Sequence, residues 1–131
     1  IAGLKKVKWP GRFQVISKKP LTILDGAHNP AGARVLAETL RSQFPGRKFT
    51  FVLGVQKDKD AAAMVGEIKN IADDIIITHS ANRAAADSVA GRPAIGLSKA
   101  LKSSTGKDRV ITGSLYLVAD ALKYLDVGMA P

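Results

Sequence analysis

The residue types best suited to chemistry stand close together in one stretch, Asp25–Asn29, which reads Asp-Gly-Ala-His-Asn. The residues before it, Leu21–Leu24, are apolar and partly β-branched, which predicts a buried strand. From Ala31 to Phe44, apolar residues recur at helical spacing. The stretch is therefore a strand-to-helix turn, the place where an open α/β sheet usually presents its ligand site. A carboxylate, an imidazole and free backbone N–H groups are expected to meet there.

A purely structural interpretation of this stretch remains open. Asn29 suits the N-cap of the following helix, and Pro30 suits its first position. Asp and His at such turns often serve only as caps and polar surface. The chemistry of the stretch therefore depends on what the neighbouring turns contribute.

Three other turns carry polar or cationic groups: Trp9–Arg12, Gly54–Asp60 and Thr112–Leu117. From the residues alone, Trp9 suits packing and Arg12 suits a surface charge. Ser114 can cap the last helix and can also hold a carboxylate or phosphate, since both roles use the same geometry. Because the carboxyl ends of parallel strands share one edge of a sheet, the groups that follow strands are expected to converge.

Strand and helix patterns alternate about five times around these turns, which predicts an α/β fold with a single doubly wound, mainly parallel sheet and helices on both faces. The second helix is predicted to bury Ala61, Met64, Val65, Ile68 and Ala72. A short helix is expected around Asp87 and Ser88. The final helix is predicted to bury Leu115, Val118, Ala119, Leu122 and Leu125.

Length, cysteine content, hydropathy and net charge limit the classes of protein to which this chain can belong. The 131 residues suit one domain, and the absence of Cys excludes disulfides and thiolate chemistry. No apolar run approaches the roughly eighteen residues of a membrane span, so no membrane partner is expected, and a cytoplasmic location is predicted. The net charge of +9 favours anionic ligands. The basic residues are scattered and few aromatic residues accompany them, so no nucleic-acid partner is predicted.

Three motifs that mark catalytic or nucleotide-binding sites are incomplete or absent in this sequence: a nucleophile elbow, a dinucleotide fingerprint and a phosphate loop. Gly113–Leu117 lacks the second glycine of a nucleophile elbow, and no dinucleotide fingerprint follows a strand. Gly91–Ser98 has glycines at phosphate-loop spacing, but Leu97 replaces the required lysine. We therefore predict no catalytic residue and no metal ligand in this chain, and no complete reaction by it alone.

The four motifs, in this order, resemble the C-terminal domain of folylpolyglutamate synthase/dihydrofolate synthase, in the Mur ligase superfamily. They are Trp9-Pro10-Gly11-Arg12, Asp25-Gly26-Ala27-His28-Asn29-Pro30, Gly54–Asp60 and Thr112–Leu117. The resemblance covers essentially the whole chain. It implies a Rossmann-like Mur ligase C-terminal domain over residues 9–127, preceded by the end of an interdomain linker at 1–8 and followed by a tail at 128–131.

The resemblance also implies an activity. Such enzymes use ATP and Mg²⁺ to phosphorylate the terminal carboxylate of a folate or dihydropteroate, and glutamate then attacks the acyl phosphate to form an amide. An N-terminal ATPase domain of the same protein carries the phosphate loop and the magnesium ligands, so this chain is expected to be part of a longer protein. The C-terminal domain closes over ATP and binds the incoming glutamate.

Residue roles follow from the same resemblance. It implies ATP-binding by Arg12, at phosphate, and by Asp25, at the ribose hydroxyls. It implies binding of the glutamate carboxylate by His28 and Ser114. Because His28 stands near a helix N-terminus, where positive potential disfavours a charged imidazole, donation from the neutral ring is expected to suffice. Lys59 matches the family's glutamate-site lysine better than Lys57 does.

Two alternatives remain open from the sequence. Cell-wall Mur ligases share the expected architecture but differ in sequence at the matching turn. A stand-alone nucleotide- or anion-binding module without catalysis also fits a chain in which no phosphate loop is visible.

Overall fold

The computed structural model describes residues 12–57, 59–80 and 86–126. The strands are β1 (Gln14–Lys18), β2 (Leu21–Asp25), β3 (Phe49–Leu53), β4 (Ala72–His79), β5 (Ser88–Val89), β6 (Arg92–Pro93), β7 (Ile95–Gly96) and β8 (Arg109–Thr112). The α-helices are α1 (Pro30–Gln43), α2 (Ala61–Ile68), α3 (Leu97–Ser103) and α4 (Leu115–Asp126). Trp9, Pro10 and Gly11 of the first motif, and the predicted domain boundaries, lie outside the described residues.

The main sheet has six strands in the order β1-β2-β8-β3-β4-β7. β1 is antiparallel to β2, and the other neighbours are parallel. The predicted mainly parallel α/β sheet is therefore confirmed. The last long strand in the sequence, β8, lies between β2 and β3. Because parallel strands end at the same edge, the turn after β8 lies between the turns after β2 and β3.

The sheet is covered on both faces, as predicted. One hydrophobic cluster joins the sheet to α1 and α2 and contains Leu36, Leu40 and Met64; the other joins it to α3 and α4 and contains Leu101 and Leu117. Alternate residues of the central strands serve the two faces, which explains why these strands are apolar throughout. No helix in the described ranges is both long enough and apolar enough to cross a bilayer.

Several local expectations were wrong. Ala72 begins β4 instead of completing the face of α2, which ends at Ile68 and continues as a 3₁₀ turn. Ser88 lies in β5, which pairs with β6 in a small hairpin, so no helix forms there. Positive φ angles at Ala90 and Gly91 make that hairpin turn.

The buried face of α4 also differs from the predicted one. Val118 is buried as predicted, and Leu122 and Leu125 pack against the core. Leu117 and Ala121 are buried as well, whereas Leu115 is 56% exposed and Ala119 is exposed. Helical periodicity identified part of the apolar stripe, but packing against the sheet buries Leu117 and Ala121 in place of Leu115 and Ala119. Leu115 is consequently left at the surface beside the carboxyl ends of the strands.

Arg109, at the start of β8, is a buried cation that joins the sheet to α3. Its Nη1 donates to the carbonyl oxygen of Leu101 at 2.9 Å and to Oγ of Ser104 at 2.8 Å. Its Nε donates to Oγ1 of Thr22 at 3.3 Å. Burial lowers the pKa of the Arg109 guanidinium from its ordinary value. These bonds offset part of the cost of desolvating the charge.

We expect Arg109→Met to lower the free energy of unfolding by about 1–3 kcal/mol, because three buried hydrogen bonds are lost while the aliphatic stem is kept. Denaturant unfolding measures this difference. Lys99→Met, an exposed change on the same helix α3, is the matched control and should shift stability by less than about 0.5 kcal/mol. Equal midpoints for the two variants would show that the Arg109 contacts contribute nothing net.

Candidate functional site

Asp25 ends β2 and organises the turn that follows it. Its Oδ1 accepts the N–H of Phe13 at 2.9 Å, and its Oδ2 accepts the N–H of Ala27 at 3.0 Å. Burial raises the pKa of the Asp25 carboxyl, although these two N–H groups and the charge of Arg12 act in the opposite direction. Both carboxylate oxygens thus have a structural task within the protein.

The bond from Asp25 to Phe13 positions Arg12. Phe13 has φ of 45°, a left-handed conformation that a bulky residue rarely adopts. The Asp25 carboxylate holds this strained residue, and Arg12 directly precedes it with an exposed side chain. The sequence identified Arg12 and Asp25 separately, and the hydrogen bond from the Phe13 N–H to Asp25, across twelve positions, connects the two places in the chain.

Several backbone N–H groups at the start of α1 are already hydrogen-bonded to Asn29. Asn29 caps the helix, and its Oδ1 accepts the N–H of Gly32 at 2.7 Å. The N–H of Ala33 bonds to the Asn29 carbonyl oxygen, and Pro30 has no N–H to offer. Fewer backbone N–H groups are therefore free to bind a ligand at this turn than predicted, because Asn29 and Asp25 accept hydrogen bonds from them.

A cavity of about 490 Å³ lies over this turn. Arg12, Asp25 and His28 line it together with Val35 and Thr39 of α1. Val35 is 61% exposed, so the cavity offers an apolar wall opposite a cation and a carboxylate. This combination suits a ligand with an apolar part and an anionic part.

The turns after β3 and β8 form a second, smaller cavity of about 220 Å³. Lys59, Ser114 and His28 line it, with Gln56 and Tyr116 beside them. The structure thus brings together all three residues that the resemblance assigned to glutamate. Lys57 is exposed but does not line this cavity, and Asp58 lies outside the described residues.

Ser114 is buried and performs the capping role expected of it. Its Oγ accepts the N–H of Leu117 at 2.9 Å, at the start of α4. The hydroxyl proton can still be donated to a ligand, because a hydroxyl both donates and accepts. A carboxylate at this point would also lie at the positive end of the helix dipole.

Gly113 allows the turn after β8 to lie directly against the turn after β3. It has φ of +124°, and a Cβ at this position would lie 2.8 Å from the carbonyl carbon of Gly54 and 2.9 Å from its nitrogen. The N–H of Gly54 donates to the Thr112 carbonyl oxygen at 3.1 Å. Two glycines therefore meet where the two strands end, and this approach brings Ser114 beside the turn that carries Lys59.

His28 lines both cavities and is exposed. Its Nδ1 lies 3.1 Å from the carbonyl oxygen of Gly26. Because a carbonyl oxygen only accepts, this hydrogen bond requires a proton on Nδ1. In this tautomer the neutral ring presents Nε2 as an acceptor. The predicted donation from a neutral ring to a carboxylate belongs to the other tautomer and stays a prediction.

Some lining residues were not identified from the sequence as site residues. Gln56 and Tyr116 line the smaller cavity, and they belong to the motifs Gly54–Asp60 and Thr112–Leu117. Thr112 lines neither cavity, but it pairs with Asp25 across the sheet, and its buried Oγ1 has no hydrogen-bond partner within the described part of the chain. A polar residue at a strand end is the signal that would have marked Thr112.

Among residues 12–57, 59–80 and 86–126, no group of three or more His, Asp or Glu side chains lies close enough together to hold a metal ion.

Comparison with known proteins gives a consistent result. The family model for the Mur ligase, glutamate ligase domain, matches residues 11–121. The dihydrofolate synthase/folylpolyglutamate synthase of Mycobacterium tuberculosis is 36% identical over 111 residues, which cover 85% of this chain and 22% of that protein. The enzyme of the same name from Bacillus subtilis is 31% identical over 139 residues, covering 95% of this chain and 32% of that protein.

A crystal structure of a bifunctional folylpolyglutamate synthase/dihydrofolate synthase with Mn, AMPPNP and L-glutamate bound superposes with a TM-score of 0.76 at 30% identity, covering 89% of this chain and 32% of that one. This chain thus spans only about a fifth to a third of the length of these proteins. Since the family match extends over most of its residues, the chain belongs to the Mur ligase glutamate ligase domain family.

Proposed function

We propose that this chain is the C-terminal domain of an ATP-dependent ligase that adds glutamate to a folate or dihydropteroate. The observation that carries the proposal is the pair of cavities that meet at His28, one lined by Arg12 and Asp25 and the other by Lys59 and Ser114. A ligase that joins an activated acid to an amino acid needs a nucleotide site and an amino-acid site side by side.

The larger cavity is proposed to bind ATP. Arg12 donates to phosphate oxygens through its guanidinium fork. Asp25 accepts from ribose hydroxyls with the lone pairs that its two backbone bonds leave over, and it holds the backbone next to Arg12. Apolar Val35 gives the nucleotide a surface to pack against.

The smaller cavity is proposed to bind the incoming glutamate. Lys59 supplies a positive charge for a carboxylate, and Ser114 supplies a hydroxyl at the start of α4. His28 contacts the same amino acid from the boundary between the two cavities. The related structure with AMPPNP and L-glutamate bound supports the presence of both ligands in such an enzyme.

The rest of the enzyme is proposed to supply what the described residues lack. An N-terminal ATPase domain of the same protein would hold the Mg²⁺ and phosphorylate the folate carboxylate, and the protein would act in the cytoplasm. When bound, Mg²⁺ supplies charge neutralisation at the phosphates. The task of this domain is to position the nucleotide and the amino acid so that glutamate meets the acyl phosphate.

The test uses the full-length protein that carries this chain. ADP release should require both a folate substrate and glutamate, and the folate product should gain the mass of one glutamyl residue. Turnover with a UDP-linked muramyl peptide in place of the folate would identify a cell-wall ligase instead. Nucleotide binding without turnover on either substrate would overturn the proposed ligase activity.

Arg12→Ala in the full-length enzyme is expected to raise the KM for ATP about ten- to a hundredfold, because a hydrogen bond to a charged group contributes about 1.5–3 kcal/mol. Arg12→Lys should restore only part of this loss, since a point charge lacks the forked geometry. Steady-state kinetics with ATP varied measure the effect. Arg34→Ala, an exposed change on α1 away from the cavity lining, is the control. If all three variants keep the wild-type KM, Arg12 has no role at the nucleotide.

A further inference from the structure

The protonation pattern of His28 bears on how glutamate becomes a nucleophile. Free glutamate at neutral pH carries an ammonium group, which has no lone pair to attack an acyl phosphate. One proton must leave before the carbon–nitrogen bond can form. The group that removes it must accept a hydrogen bond and lie between the nucleotide site and the amino-acid site.

We infer that His28 is the general base that deprotonates the glutamate ammonium, which makes it a catalytic residue of the ligase proposed above. The inference rests on that proposed function and assigns a role in the chemical step. With its Nδ1 proton bonded to the Gly26 carbonyl oxygen at 3.1 Å, the neutral ring has its basic lone pair on Nε2. The residue lines both cavities, where the amine and the acyl phosphate must meet.

The other charged groups around His28 suit different partners. Lys59, in the smaller cavity, is a cation that attracts a carboxylate and repels an ammonium. Arg12, in the larger cavity, suits phosphate. Asp25 is a nearby carboxylate, but it lines the larger of the two cavities and not the smaller one proposed for glutamate. Tyr116 is the remaining titratable group that lines the smaller cavity.

The proton balance of the step is complete. Nε2 of His28 takes one proton from the ammonium, and the freed amine lone pair forms a bond to the acyl carbon. The bond from that carbon to the phosphate oxygen breaks, and the departing phosphate carries away the second amine proton. His28 returns its proton to water once the amide product leaves.

The test compares two variants of the full-length enzyme. His28→Asn keeps an N–H near the position of Nδ1 for the Gly26 carbonyl oxygen but has no basic nitrogen. It should lower kcat with glutamate by about 10²–10⁴-fold and change the KM for glutamate little. The remaining rate should rise with pH as more glutamate carries a neutral amine. His79→Asn, which changes the other histidine, at the end of β4, should behave as wild type.

Hydroxylamine as the acceptor isolates the proton transfer, because its amine is largely neutral at pH 7. His28→Asn should form the hydroxamate from ATP and folate at close to the wild-type rate. A large rise in the KM for glutamate with kcat retained would make His28 a carboxylate ligand and overturn the inference, as would an equal loss of hydroxamate formation. Failure of the wild-type enzyme to join glutamate to any folate would instead refute the proposed function.

Discussion

Gly113→Ala is expected to destabilise the domain by more than about 4 kcal/mol and to prevent folding of most of the protein, because the new Cβ would overlap backbone atoms. The methyl group would fall on the Gly54 carbonyl oxygen and lie within 3.0 Å of the Gly54 carbonyl carbon and nitrogen. The turns after β3 and β8 cannot move apart without breaking the hydrogen bond from the Gly54 N–H to the Thr112 carbonyl oxygen. The φ of +124° adds strain for any residue with a Cβ.

Denaturant unfolding and soluble yield measure this effect, with Gly66→Ala as the matched control. Gly66 lies inside α2, and a Cβ there meets nothing within 4 Å. The same change of side chain should therefore stabilise the protein by about 0.5–1 kcal/mol through helix propensity. If Gly113→Ala folded with wild-type stability, the close approach of the turns after β3 and β8 would be refuted.

Ser114→Ala in the full-length enzyme is expected to raise the KM for glutamate about ten- to a hundredfold while changing the KM for ATP much less. The substitution removes a hydroxyl donor proposed to meet a carboxylate, a bond worth about 1.5–3 kcal/mol. It also removes the cap that accepts the Leu117 N–H, which costs about 1 kcal/mol of stability. Kinetics with each substrate varied in turn measure the first effect, and thermal unfolding measures the second.

Asp60→Ala separates the two roles of Ser114. Asp60 caps α2 by accepting the Ala63 N–H at 3.0 Å, and it does not line either of the two cavities. Its loss should lower stability by a similar amount, about 1 kcal/mol, and leave the KM for glutamate near the wild-type value. An equal KM shift in both variants would mean that Ser114 acts only through helix stability.

The larger elements could be predicted from the sequence because their signals are local. The apolar runs gave β2, β3 and β8 within one residue, and Asn29-Pro30 and Pro45-Gly46 gave the two ends of α1. Such signals are read from neighbouring residues and need no knowledge of tertiary contacts. The same signals placed the candidate site residues at turns beside predicted strands, and the family resemblance supplied their roles.

Periodicity was less successful where packing decides the outcome. The stripe predicted for α4 placed Leu115 in the core, but the helix packs with Leu117 inward and leaves Leu115 exposed. Ala72 continued the helical pattern of α2 yet begins β4, because pairing with β3 competes with the local preference.

The sequence by itself determined the fold class, the family resemblance and the types of group at the strand ends. Tertiary structure alone decided how those groups combine. The position of β8 between β2 and β3 brings Ser114 to the same cavity as His28 and Lys59, although long stretches of chain separate the three. The bond from Asp25 to Phe13 and the bond from His28 to Gly26 fix donor and acceptor roles that no motif encodes. Strand order and hydrogen-bond direction arise from long-range packing and backbone geometry, so they could only be learned from the folded chain.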